Sequence, residues 1–199
     1  MTTAIEVVLF DLGGVLLRLR DPYETFAVEL SETEFRDRWL LSPAVRSLEC
    51  GRLEVQEFAD ALVAEFDLPY GAAEFLQRFK NWPGGLFASV PDIFVRLPNG
   101  LGRALLSNTN AVHWQRPDIG GVLQNQFEHL FLSFRTGHLK PDQSAFEDVL
   151  STLPCEPQAI YFLDDNPLNI EAARRCGMRV ALTNGEAELL QNLRKENLY

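Results

Sequence analysis

The stretch 5-IEVVLFDLGGVLL-17 decides the fold. Ile5 to Phe10 is a short, β-branched-rich and largely apolar run that stops at Asp11 and a Gly13-Gly14 pair, which reads as a buried strand followed by a tight loop. Val15 to Leu19 is a second apolar run and reads as a short strand or flap. Two later segments repeat the pattern of a buried strand ending in polar residues. Arg103 to Leu106 leads into Ser107-Asn108-Thr109-Asn110, and Ala159 to Leu163 leads into Asp164-Asp165-Asn166-Pro167.

Further strands are expected over Phe127 to Ser133 and Arg179 to Leu182. Helices fall between them. One lies near Pro91 to Leu97, and one is opened by Lys140-Pro141-Asp142 with Phe146, Val149 and Leu150 on one face. The next is bracketed by Asn166 as N-cap, Pro167 at the first helical position and Gly177 just past the end. Glu186 to Lys195 is a terminal amphipathic helix. This alternation predicts an α/β fold, a Rossmann-like doubly wound parallel sheet with helices on both faces.

Pro22 to Trp82 interrupts the alternation with helical patterns alone. Ser31-Glu32-Thr33-Glu34 fits a capping box. Val55, Phe58, Ala59, Leu62 and Phe66 share one helical face, and so do Phe75, Leu76, Phe79 and Trp82. Gly51, Pro69 and Gly71 punctuate these runs, and Trp82-Pro83-Gly84-Gly85 reads as a break. Residues 20–82 are therefore expected to form an inserted helical-bundle cap, leaving 1–19 and 83–199 as the core.

Of the 199 residues 46% are apolar, enough to bury a sizeable core, and the formal net charge is −10. A surface this acidic repels nucleic acid and anionic membranes, so neither is expected as a partner. Cys50, Cys155 and Cys176 are widely spaced and form no CxxC or His/Cys cluster, which argues for reduced thiols and against zinc or a disulfide framework. The N-terminus reads MTTAIE, with no cationic segment before an apolar stretch, so no signal peptide is expected. No apolar run approaches the ~20 residues that span a bilayer. A cytoplasmic protein is the expectation.

In a doubly wound sheet the carboxyl ends of the strands form the ligand crevice, which brings Asp11, Ser107, Asn108, Asp164 and Asp165 together. Three carboxylates at one point need a cation, and hard oxygen ligands favour Mg²⁺. A phosphate could then bridge the metal, the Ser107 hydroxyl and the Lys140 ammonium while Asp11 attacks phosphorus. An aspartyl-phosphate splits one difficult displacement into two easier ones.

The segments FDLGGVLL (10–17), LLSNTN (105–110), LKPD (139–142) and FLDDNPLNIEAA (162–173) resemble, in order, the four motifs of the haloacid dehalogenase-like hydrolase superfamily. The likeness runs over nearly the whole chain and is to subfamily I, with a helical type I cap. Within it the wording is most similar to bacterial α-D-glucose-1-phosphate phosphatase-type members. The resemblance implies Mg²⁺-dependent hydrolysis of a small phosphorylated metabolite through an aspartyl-phosphate on Asp11. It makes Asp11 nucleophile and metal ligand, and Gly13 a backbone-carbonyl ligand. Asp165 becomes the principal acidic ligand, with Asp164 a second or water-mediated one. Ser107 and the amide of Asn108 hold the phosphate, and Lys140 neutralises nucleophile and phosphate.

One position departs from the pattern. Most family phosphatases carry a second Asp two residues after the nucleophile as general acid and base, and here that residue is Gly13. Such assistance is typically worth ~10²–10⁴-fold. Its absence favours a substrate with an easy leaving group, such as a sugar 1-phosphate, or a proton relay through water or a cap residue. Other polar and aromatic residues near the motifs admit plainer roles. His113 and His138 flank the second and third motifs in expected loops, where solvated histidines are common, and His129 reads as structural. Trp114 and Tyr23 could line a pocket, although aromatics near a core usually pack. Arg18 and Arg20 could meet substrate, against a solvated face. Glu49 to Leu53 reads as a turn between cap helices that could dip toward the site. Two rivals stand beside the phosphatase reading: a metal-independent 2-haloacid dehalogenase and a weakly active phospholigand-binding scaffold.

Overall fold

The computed structural model describes residues 3–199, apart from the side chain of Glu32. Met1 and Thr2, the first part of the expected leaderless N-terminus, lie outside the described residues. Strand β1 (Val7–Phe10) runs through the middle of the sheet and is buried on both faces. Its side chains alternate as the strand period requires. Val7 and Leu9 join one apolar cluster, and Val8 and Phe10 the other. β1 pairs in parallel with β4 (Gly102–Ser107) on one side and β6 (Ile160–Asp164) on the other. β5 (His129–Leu132) and β7 (Arg179–Leu182) complete a five-stranded parallel sheet in the order β5-β4-β1-β6-β7.

Helices cover both faces, as the alternation predicts. α6 (Val90–Arg96) and α12 (Gly185–Lys195) bury Ile93, Phe94, Leu189 and Leu193 against one. α10 (Gln143–Thr152) and α11 (Pro167–Arg175) bury Phe146, Val149, Ile170 and Ala173 against the other. The brackets of α11 form as read. The Asn166 side chain accepts from the Leu168 amide, Pro167 opens the helix, and Gly177 follows it at φ +84°.

Five helices lie between β2 (Leu17–Leu19) and β3 (Pro83–Leu86): α1 (Pro22–Phe26), α2 (Glu32–Leu41), α3 (Pro43–Glu49), α4 (Val55–Glu65) and α5 (Ala72–Asn81). The capping box at Ser31 and Glu34 is present. These helices enclose an apolar cluster of their own, rich in aromatics: Phe26, Phe35, Trp39, Phe58, Phe75, Phe79 and Trp82. Their ring centroids sit as close as 4.8 Å for Trp39 and Trp82, and 5.0 Å for Phe58 and Phe79. Tilted and edge-on pairs of this kind add ~0.5–1.5 kcal/mol each beyond area burial.

Three expectations are corrected. Pro83-Gly84-Gly85 is not a simple break but strand β3, antiparallel to β2 with Leu17 opposite Leu86 and Leu19 opposite Pro83. Glycine permits this close approach, because a Cβ on Gly84 would lie 3.2 Å from the Arg18 carbonyl oxygen. β2 itself begins only at Leu17, since Val15 and Leu16 turn inward and are fully buried. β5 is shorter than Phe127 to Ser133. Ser133 opens the one-turn helix α9 (Ser133–Thr136), and short turns α7 (Ala111–Trp114) and α8 (Gly120–Leu123) occupy what the sequence presents as loop. No helix among the described residues is long and apolar enough to cross a membrane.

Candidate active site

Parallel register sets the site. Phe10 lies opposite Leu105 on β4 and Leu163 on β6, so the carboxyl ends of the three central strands finish level. Asp11 extends the ladder by one step, its N–H donating to the Leu163 carbonyl at 2.8 Å. Ser107 is the last residue of β4 and Asp164 the last of β6; both are buried. Lys140 arrives from the loop before α10, and Asn108 locks its backbone from both sides. The Lys140 N–H donates to Asn108 Oδ1 at 2.9 Å, and Asn108 Nδ2 donates to the Lys140 carbonyl at 2.8 Å.

At the centre the Lys140 ammonium donates to Asp11 Oδ1 at 2.7 Å and to Asp164 Oδ2 at 2.5 Å. Asp164 is fully buried and its other oxygen is engaged as well, accepting from the Asn166 amide at 2.8 Å and from Asn169 Nδ2 at 2.9 Å. Asp165 completes the cluster. Ligand oxygens of Asp11, Asp164 and Asp165 all lie within 4.8 Å of one another. Gly14 makes this approach possible. It sits at φ +73°, and a Cβ there would fall 2.5 Å from Asp165 Oδ2.

The charges do not balance. Burial pushes the Asp11 carboxyl up to about 8, with Lys140 opposing and Asp164 and Asp165 adding to the rise. Burial and Asp164 push Asp165 up to about 6 against Lys140 and Arg36. Burial also works against the Lys140 charge, but Asp11 and Asp164 overcome it and hold the ammonium protonated. The Lys140 ammonium contacts Asp11 and Asp164, and Arg36 acts on Asp165, yet Asp11 and Asp165 are still raised, so a further cation at the cluster would favour their charged forms. Asn169 points the same way. Its Nδ2 donates to Asp164, while its buried Oδ1 has no hydrogen-bond partner among the described residues. An unpaired buried acceptor beside an acidic cluster suits a hard cation or a water bound to one.

A cavity of about 630 Å³ opens above the cluster, between the strand ends and the helical block. Asp11, Gly13, Ser107, Asn108, Lys140 and Asp165 all line it, and Asp164, fully buried, joins the cluster without lining the cavity, so the structure brings the sequence-derived site residues together. A larger groove of about 710 Å³ on the outer side of the block contains none of them.

The secondary candidates divide. Arg18 and Arg20, on or just after β2, line the cavity. Tyr23 is exposed outside it, and Trp114 is packed in the core. His129 stacks on Phe131, and His138 is half-buried in its loop. His113 is not in a solvated loop; it is buried in α7. Its Nε2 donates to the Phe79 carbonyl at 2.7 Å, which leaves Nδ1 to accept from Asn110 Nδ2 at 3.2 Å. Burial lowers its pKa to about 4, so the ring is neutral and ties α7 to the end of α5.

Asn169 in the cavity escapes sequence reasoning, whereas Glu49 begins the Glu49 to Leu53 turn that the sequence reads as able to dip toward the site. Asn169 follows Asp165 by one helical turn, a spacing that could have flagged it. Glu49 ends α3 and reaches the cavity only because the helical block folds back over the strand ends. The Trp39 side chain donates to its carboxyl, and burial pushes the group up to about 7 against Lys140 and Arg46.

Comparisons with known proteins agree with this arrangement. The haloacid dehalogenase-like hydrolase family model matches residues 5–177. D-ribitol-5-phosphate phosphatase of Bacteroides thetaiotaomicron is 27% identical, over 95% of this chain and 97% of its own. Sesquiterpene phosphatase AstK of Aspergillus oryzae is 26% identical, over 89% of each chain. Among solved structures, a HAD family enzyme from Bacteroides thetaiotaomicron in complex with magnesium and inorganic phosphate superposes with a TM-score of 0.73. It is 23% identical, and the match covers 92% of this chain and 96% of that one. L-2-haloacid dehalogenase from Xanthobacter autotrophicus superposes at 0.66, with 19% identity over 98% and 84%. With its motifs at the ends of β1, β4 and β6 and a family match across most of its length, the chain belongs to the haloacid dehalogenase-like hydrolases.

Proposed function

We propose that this hydrolase is a Mg²⁺-dependent phosphatase acting on a small phosphate monoester, with residues 20–82 serving as its cap and 1–19 with 83–199 as its core. The observation that carries this reading is the close cluster of Asp11, Asp164 and Asp165, the first two paired with the Lys140 ammonium, with Ser107 lining the same cavity. Dehalogenation without metal has little use for three carboxyls drawn so close, whereas phosphoryl transfer needs concentrated positive charge there. Two curated relatives that align over most of the chain are named as phosphatases, which supports the same choice.

In this reading Asp11 is the nucleophile. Its carboxylate attacks phosphorus, and the ester oxygen leaves on the opposite side, toward the cap. The Ser107 hydroxyl and the Asn108 amide hold the equatorial oxygens, and Lys140 offsets charge on both Asp11 and the phosphoryl group. Water then hydrolyses the aspartyl-phosphate and restores Asp11. Asp11, Asp165 and the Gly13 carbonyl would hold Mg²⁺, with the unpaired Asn169 oxygen beside them. The ion would neutralise the carboxylates and polarise the phosphoryl oxygens. Asp164, its oxygens already engaged by Lys140, Asn166 and Asn169, acts chiefly by holding Lys140 in place.

The substrate remains drawn broadly. A hydrogen at position 13 favours a sugar 1-phosphate if no other acid is present. A screen of sugar phosphates, nucleotides and small phosphoesters tests the reading. Turnover is expected to vanish with EDTA and return with Mg²⁺, and Asp11→Asn is expected to fall by at least about 10³-fold. Activity that survives chelation, with halide released from 2-haloacids, would overturn it in favour of a dehalogenase.

A further inference from the structure

We propose that Glu49, carried by the cap, is the general acid and base that Gly13 cannot supply, and that the site therefore takes phosphate esters of ordinary alcohols. This rests on the phosphatase reading above and deepens it.

Elimination within the cavity leads to Glu49. Among the described residues, the carboxyls lining it are Asp11, Asp21, Glu49 and Asp165. Asp11 and Asp165 belong to the acidic cluster. Asp21 is exposed at the cavity's rim, and its Oδ1 caps α1, accepting from the amides of Tyr23 and Glu24. His113 also lines the cavity, but Phe79 and Asn110 engage both of its ring nitrogens. Glu49 is left. The Trp39 side chain fixes one end of its carboxyl, and the rest faces the cavity, where it feels the Lys140 charge.

The core holds the Glu49 turn in place. Gly51, two residues on, adopts φ +68°, and a Cβ there would lie 2.4 Å from the Phe134 carbonyl oxygen on α9. On the other flank Arg46 bridges to Asp142 at 2.8 Å, two residues beyond Lys140. α3 thus meets the core beside the lysine. An in-line displacement sends the leaving oxygen away from Asp11, toward the cap. Glu49 lies on that side.

The chemistry balances. As the Asp11 oxygen bonds to phosphorus and the ester P–O bond breaks, protonated Glu49 gives its proton to the departing alkoxide, and the alcohol leaves. Water then enters from the same side. Glu49 carboxylate takes its proton as the oxygen bonds to phosphorus, the bond to Asp11 breaks, and inorganic phosphate forms. Glu49 ends protonated and Asp11 ends as carboxylate. A carboxyl poised near neutrality serves both halves. Burial produces this by raising Glu49 to about 7. Lys140 and Arg46 act on its charge, and the other charged groups that line its cavity are Arg36 from α2, Arg18, Arg20 and Asp21 at and after β2, and Asp11 and Asp165 from the core.

The test compares an alkyl phosphomonoester with p-nitrophenyl phosphate, whose phenolate leaves without a proton, in Glu49→Gln and the parent. Glu49→Gln is expected to lose about 10²–10³-fold in kcat for the alkyl ester, but less than about tenfold in the phosphorylation step on the aryl ester. It should also lose the limb of the pH profile near 7. Glu49→Asp, which keeps a carboxyl, should recover part of the alkyl activity. A second-site carboxyl, Gly13→Asp, should recover part of it in the Glu49→Gln background. Space allows this, since a Cβ at Gly13 meets only Leu19, at 3.4 Å. Equal losses in the phosphorylation step of both esters, or no loss on either, overturn the proposal. A parent protein that turns over neither ester, with or without Mg²⁺, overturns the phosphatase reading itself and is recognised without any Glu49 variant.

Discussion

Lys140 is the residue on which the rest of the site leans. It is buried with both of its carboxylate partners, and each contact is short. Removing one member of such a group strands the others without compensation, at a cost of about 3–5 kcal/mol. Lys140→Met is therefore expected to lower unfolding free energy in denaturant by about that amount, and Asp164→Asn to recover part of the loss when combined with it. Full additivity of the two substitutions would contradict the coupling. His113 makes a separate prediction. Its folded pKa of about 4 lies below the ordinary 6.5, so the unfolded chain binds a proton that the folded one refuses. Stability is present above pH 6.5 and is lost as pH falls toward 4, by on the order of 3 kcal/mol. His113→Gln should lack this component when melting is followed across that window. Asp11, Ser107, Lys140 and Asp165 were legible from their places after buried strands and in the family motifs. The burial of His113 was not, because its partner is a carbonyl thirty-four residues away on another element.

Among the elements, strands β1, β4 and β6 could be read because each is an apolar run ending in polar residues. β3 could not. Pro-Gly-Gly is a turn signal locally, and only pairing with β2 makes it a strand. Glu49 was legible only in part: the turn it begins could be read as dipping toward the site, but its seat in the cavity comes from the packing of α3 on α9, which no local pattern encodes. That packing depends on Gly51. Gly51→Ala puts a methyl group against the Phe134 carbonyl and a side chain at positive φ. The variant is expected to fold, to be destabilised by more than about 1 kcal/mol, and to lose kcat on alkyl esters more than on aryl ones. An equal effect on both classes would separate the turn from proton transfer.

At the scale of the molecule, three apolar clusters are distinct: one on each face of the sheet and one within the helical block. Phe58 is fully buried in the last of these. Phe58→Ala is expected to cost about 3–5 kcal/mol. Hydrogen exchange should show where. Amides of α2 to α5 should lose protection while those of β1, β4 and β6 retain it. Uniform loss would mean that the helical block and the sheet unfold as one. The paired strands β2 and β3 also bear on how the chain assembles. Leu19 and Pro83 face each other, so the helical block leaves and rejoins the core at one point. Once it has formed, the polymer between β1 and β4 is effectively about three times shorter. That removes about 1 kcal/mol of closure entropy from the pairing that builds the sheet. A long insertion so tethered should slow folding far less than its length suggests.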